Sequence, residues 1–318
     1  MVSKTRFAAF AAAAALAVSL TAPARADGFV NVLTGGTSGV YYPLGVALSQ
    51  LYGEGIPGVK VQVQATKASI ENLNLLQQGR GEIAFALGDS LRDAWEGNTE
   101  AGFKAKLDKL RGIAAIYPNH IQIVALKASG VKTLADLKGK SLSVGAPKSG
   151  TELNARTIFA ASGLKYADLG KVEYLPFAES VDLMKNRQLD ATLQSAGLGV
   201  ASIRDLSTTV EPVIVAVDEA TVKKIGAPYV PAVIPAGTYQ GQSEAVPTAA
   251  VGNFLVTHAD VPEEVVYRMT KLAFDNLDKL SAAHTAAKAI RLDTAIDGMP
   301  LPLHPGAARY FKEKGVLK

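Results

Sequence analysis

The chain has 318 residues, 48% of them apolar, no cysteine and a formal net charge of +4. Three of the positive charges, Lys4, Arg6 and Arg25, sit in a leader described next. About +1 then remains, which gives no reason to expect nucleic acid or an anionic membrane as partner.

Lys4 and Arg6 precede an apolar run from Phe7 to Leu20, and Ala24-Arg25-Ala26 gives a small-residue cleavage pattern. This is the pattern of a secretory signal peptide over residues 1–26, cut after Ala26 so that Asp27 opens the mature chain. The run, about 14 residues, is short for a bilayer span. Export without disulfides points to a periplasmic protein held by its core alone.

Beyond the leader, strand and helix patterns alternate. "FVNVLTG" reads as extended, and Val40, Leu44, Ala47, Leu48 and Leu51 then recur at helical spacing. "VKVQVQAT" alternates as a half-buried strand does, "SIENLNLLQQGRG" is a helix ending near Gly79, and "EIAFAL" is a buried strand. "GIAAIYP" and "HIQIVAL" read as two strands, "TLADLKG" as a short helix and "SLSVGAP" as a strand. "TELNARTIFAASG" is a helix stopped at Gly163, after which "VEYLPF", "ESVDLMKNRQ", "DATLQS" and "PVIVAV" continue the rhythm. Such βαβ alternation predicts an α/β protein with mainly parallel sheets flanked by helices. The mature length favours two lobes, with chain crossings in "NHIQIVALKASG" and in the helix-poor segment from Val230 to Val256. The expected division is residues 27–124 with 246–318 in one lobe and 125–245 in the other.

Three strand-to-helix loops are rich in small and hydroxyl residues: "VLTGGTSGVYYPLG", "QATKASIEN" and "SVGAPKSGTELNA". In open parallel sheets ligands gather beyond the carboxyl ends of strands, where free N–H groups and the helix dipole attract anions. Plain capping explains part of the pattern, since Ser149 and Glu152 have capping-box spacing and Thr37 or Ser38 can serve as an N-cap. Neither a Walker loop nor a dinucleotide fingerprint is present, because the G-K-[ST] ending and the third glycine are missing.

Catalytic patterns are weak. His120, His258, His284 and His304 form no pair at metal-ligand spacing, and no G-x-S-x-G elbow occurs. Asp89 and Arg92 read as a charge pair opening a helix, and Trp95 as packing. No cofactor is expected.

The motifs "VLTGGTSGVYYPLG", "QATKASIENL", "SVGAPKSGTELNARTIF", "YVPAVIPAGTYQGQ" and "LPLHPGAARYFKEKG" closely resemble the TAXI family. These are solute receptors of one branch of the tripartite ATP-independent periplasmic (TRAP) transporters. The resemblance spans almost the whole mature chain. It implies a two-lobe, type II periplasmic-binding-protein fold that closes on a small acidic solute, dicarboxylate or glutamate-like. It also implies a non-catalytic, monomeric receptor that delivers the solute to TRAP membrane subunits. Carried over by motif, ligand contacts fall on Thr37, Ser38, Gly39 and Tyr42 or its neighbour Tyr41. They fall further on Thr66, Ser69 and Asn72, and on Ser149, Gly150 and Thr151. The chain departs from the family at Lys67 and Lys148, where small residues are usual, and at "LQSAGLGV", where T-G-G-x-P is common. Lys67 and Lys148 would then favour a dianion, with Gln194 and Ser195 offering neutral hydrogen bonds. Two other readings are a serine hydrolase using Ser38 or Ser149, and a sensory receptor for a membrane kinase.

Overall fold

The computed structural model describes residues 28–318, so the leader lies outside the described residues. In chain order the first part holds β1 (Gly28–Leu33), α1 (Tyr41–Gly55), β2 (Val59–Gln64), α2 (Ser69–Gln77), β3 (Ile83–Leu87), α3 (Gly88–Glu96) and β4 (Leu110–Leu126). The middle holds β5 (Ser141–Ser143), α4 (Gly150–Ser162), β6 (Lys171–Glu173), α5 (Phe177–Lys185), β7 (Ala191–Ala196), α6 (Ala201–Thr209), β8 (Pro212–Val215), α7 (Glu219–Ile225) and β9 (Val230–Ile234). The chain then returns through β10 (Val246–His258), α8 (Glu263–Phe274), α9 (Leu277–Ala283) and α10 (Pro305–Glu313). Among the described residues no helix is long and apolar enough to cross a membrane.

The strands follow the order β2-β1-β3-β10-β4-β7-β5-β6, with β8 beside β4 and β9 beside β10. At both ends the pairing is parallel, as the βαβ rhythm predicts: β1 with β2 and β3, and β5 with β6 and β7. The centre is antiparallel, because β4 and β10 run past each other from one half of the sheet into the other. Burial follows position. Edge strand β2 alternates between half-buried and exposed at its start, whereas β3, covered on both faces, is buried at every residue.

The two strands read from "GIAAIYP" and "HIQIVAL" are one 17-residue strand. Pro118 cannot donate a ladder hydrogen bond, which is why the sequence looks broken there. It is accommodated where β10 carries a register shift between Gly252 and Phe254, at the point where β4 changes neighbours. From His120 onward β4 pairs with β7, and β10 up to Ala250 pairs with β9. Three buried apolar clusters fill the layers. One joins α1, α8 and α10 to the sheet, a second surrounds α4 with β5 and β7, and a third lies under α2 and α3.

Candidate functional site

One cavity, enclosing about 130 Å³, lies where the starts of α1, α2 and α4 converge. These helices belong to different halves of the sheet, and the halves touch around the cavity. Glu71 N, in the first turn of α2, donates to the Lys148 carbonyl (3.3 Å), and Ser202 N of α6 donates to the Ser38 carbonyl (3.3 Å). Gly150 is required at the start of α4. A Cβ there would stand 2.6 Å from Leu87 and 2.7 Å from Ser69 Oγ, both on the opposite half.

Each loop is shaped from below. Asn72, fully buried on α2, donates through Nδ2 to the carbonyls of Thr34 (2.7 Å) and Phe85 (2.9 Å), while Thr66 Oγ1 lies 2.7 Å from its Oδ1. It thereby ties β1, β3 and the second loop together. Asn72 is thus a scaffold beneath the site, and its side chain does not line the cavity. Ser149 Oγ accepts from Glu152 N (3.1 Å), which is half of the expected capping box. The Glu152 carboxylate turns instead to Arg156 (2.9 Å) and accepts from the Tyr166 hydroxyl (3.2 Å). In the first loop the N-cap is Val40, which has no capping side chain, so neither Thr37 nor Ser38 caps α1.

The cavity wall includes Gly39, Tyr41, Thr66, Lys67, Ser69, Ser149, Gly150, Thr151 and Ser195 among the residues expected from sequence. Thr37, Ser38, Tyr42, Asn72, Lys148 and Gln194 do not line it. Thr37 is exposed, and Ser38 contributes its carbonyl to the contact between halves. Tyr41 is the tyrosine that turns inward, stacked on Phe85 with ring centroids 5.0 Å apart. Alternation along β7 sends Ser195 to the cavity and Gln194 to the other face, where its Oε1 accepts from Ser202 Oγ (2.6 Å). Lys148 is exposed, with its backbone in the left-handed region (φ 60°).

Along the wall, and behind it through Asn253, runs a buried relay that sequence reasoning missed. The Tyr41 hydroxyl donates to Asn253 Oδ1, and Asn253 Nδ2 donates to Asn119 Oδ1 (2.7 Å). Asn119 Nδ2 in turn donates to the Ser195 carbonyl (2.8 Å). The available signal was two asparagines inside otherwise strand-like runs, "YPNHIQ" and "VGNFLV". Burial pushes the Tyr41 and Tyr117 phenols up, so both stay protonated and able to donate. The Tyr117 hydroxyl is buried on this wall and has no partner among the described residues.

Asp89 and Arg92 do not pair with each other; both reach across to the other half. Asp89 Oδ2 accepts from Tyr229 (2.6 Å) and Asn154 (2.6 Å), and Arg92 donates to the Ala227 carbonyl (3.1 Å). Burial pushes the Asp89 carboxyl up, partly offset by the Tyr229 hydrogen bond. His120 does not line the cavity, and burial holds its imidazole below the usual value. Among the described residues no group of three or more His, Asp or Glu could hold a metal ion.

A family model described as NMT1-like matches residues 32–315. The fold is that of periplasmic binding proteins. The structure of the periplasmic binding protein BugD is similar at a TM-score of 0.55, with 13% identity over 91% of this chain and 94% of that one. The alkanesulfonate-binding protein SsuA from Xanthomonas axonopodis pv. citri gives 0.51, with 15% identity over 90% of each chain. A binding protein component of an ABC phosphonate transporter from Pseudomonas aeruginosa gives 0.53, with 12% identity over 83% of this chain and 80% of the other.

Proposed function

From a chain that belongs to the NMT1-like family, we propose a periplasmic solute receptor that captures a small carboxylate between two lobes and hands it to membrane subunits. The observation that carries this reading is the convergence on one cavity of helix starts drawn from both halves, those of α1, α2 and α4 among them. Each start offers unpaired N–H groups and a positive dipole end. Dipoles alone contribute roughly 0.3–1 kcal/mol each, against about 8 kcal/mol for a micromolar ligand. The remainder must come from direct hydrogen bonds, for which Ser69, Thr151, Ser195 and the unpaired Tyr117 hydroxyl stand available, and from exclusion of water on closure. Alkanesulfonate and phosphonate, named for two of the similar structures, are also small anions.

The lobes are divided, in this proposal, where β4 and β10 change partners, close to Asn119 and Val251 and a few residues inside the limits expected from sequence. Those two strands act as the hinge. Capture proceeds by population of a closed state that the ligand binds more tightly than the open one. The TAXI motifs support a TRAP-type membrane partner, and the leader supports export. The hydrolase reading is less favoured, because the Ser149 hydroxyl already accepts the Glu152 amide and no histidine stands among the cavity-lining residues.

The test is thermal unfolding of the mature chain against mono- and dicarboxylates, amino acids, sugars and phosphate. A carboxylate at about 100 times its dissociation constant is expected to add roughly 2.7 kcal/mol, a shift of several degrees. A shift with sugars alone, or with phosphate alone, would defeat the reading.

A further inference from the structure

We infer that the ligand is a monocarboxylate with a compact apolar body, rather than a dicarboxylate or an amino acid. This rests on the carboxylate reading above and narrows it. Among the residues lining the cavity, Lys67 is the single charged side chain, and it is exposed at the rim. Lys148 stands outside the cavity. No aspartate or glutamate lines the wall, so an α-ammonium group would be enclosed without an anionic partner. A second carboxylate would likewise be enclosed with one solvated lysine as its only counter-charge. Enclosing an unpaired charge is costly enough that binding sites avoid it.

The apolar part of the wall fits the opposite chemistry. Phe177 and Pro176 open α5, with the Phe177 ring 4.0 Å from where a Gly39 Cβ would stand. Phe177 is only half-buried, and Val40, Leu87, Ala146 and Ala196 continue the apolar surface. A wall of this kind gains from each apolar group that leaves water. At about 130 Å³ the cavity is close to the roughly 150 Å³ that accepts a benzene ring, which matches a short branched or ring-bearing acid.

Isothermal titration of ligand-free mature chain with matched pairs tests this. Succinate is set against 4-methylpentanoate, and glutarate against 5-methylhexanoate. In each pair an isopropyl group replaces one carboxylate at equal non-hydrogen atom count. The branched acids are expected to bind at least tenfold tighter, and Phe177→Ser to remove most of that margin while the dicarboxylate affinities move less than threefold. Thermal unfolding of Phe177→Ser checks that it folds. Equal or tighter binding of the dicarboxylates overturns the inference and leaves the receptor reading intact. A margin that survives in folded Phe177→Ser overturns the placement of the apolar body. Failure of all four acids to bind overturns the carboxylate reading itself.

Discussion

The first and third loops look alike in sequence, each a strand, a run of small and hydroxyl residues and then a helix, yet they solve the helix start differently. In the third, Ser149 caps α4 internally, and Gly145 (φ 98°) and Lys148 (φ 60°) bend the chain tightly around it. In the first, no side chain caps α1, the hydroxyls of Thr37 and Ser38 lie outside the cavity, and Tyr41 carries the polar contact inward. A capped start is stable by itself, whereas an uncapped start keeps its N–H groups for something else. Hydroxyl content therefore does not tell a ligand cradle from a self-contained cap; the direction each side chain takes does.

The largest effect expected on this pair comes from Gly150. Gly150→Ala places a methyl group against Leu87 and Ser69 of the other half. The clash is relieved by opening, so carboxylate affinity should fall tenfold to a hundredfold, equivalent to roughly 1–3 kcal/mol of overpacking. The melting temperature of the ligand-free chain should stay close to that of the parent. Titration together with small-angle scattering measures both, and undiminished affinity would mean that the halves do not need this contact to close.

Next in size is the tie between Asp89 on α3 and Asn154 on α4. Burial raises the Asp89 carboxyl, so the folded chain holds that proton to higher pH than the unfolded chain does. As pH rises past the ordinary carboxyl value the unfolded state ionises first, and stability falls until Asp89 ionises in the folded state too; above that it is level. Asp89→Asn should abolish this component of the slope in denaturant unfolding followed as a function of pH. An unchanged slope would show that Asp89 does not titrate in this window.

The smallest effect is on the cap itself. Ser149→Ala removes the acceptor for Glu152 N and is expected to lower stability by about 1 kcal/mol. For lobes of this size that is a melting shift of about 2–4 °C by calorimetry. A loss of ligand affinity far beyond the stability change would show that Ser149 also touches ligand, and would erase the contrast between the two loops.

Much of the molecule was legible in order and kind. Apolar alternation located β2, a short continuous apolar run located β3, helical spacing located α1 and α2, and Gly163 (φ 74°) ends α4 where the sequence places its stop. These features depend on residues a few positions apart, so local chemistry specifies them. The departures share one cause. Pro118 made a continuous strand look like two, because the shifted register of β10 that accommodates it lies far away in sequence. Asn119 fell between the two strands read from the sequence and Asn253 in a segment assigned no element, and neither showed its role because their partners are each other, Tyr41 and Ser195. Lys148 shares a motif with cavity residues, yet its left-handed backbone leaves its side chain exposed and off the cavity wall.

What the sequence by itself determined is the alternation of elements, the loops at the strand ends and the residue types available there. Only the tertiary structure decided which of those residues face one another. Side-chain direction depends on the crossing of β4 and β10 and on the meeting of two halves whose contacts span from tens of residues to more than two hundred, a distance over which periodicity carries no information.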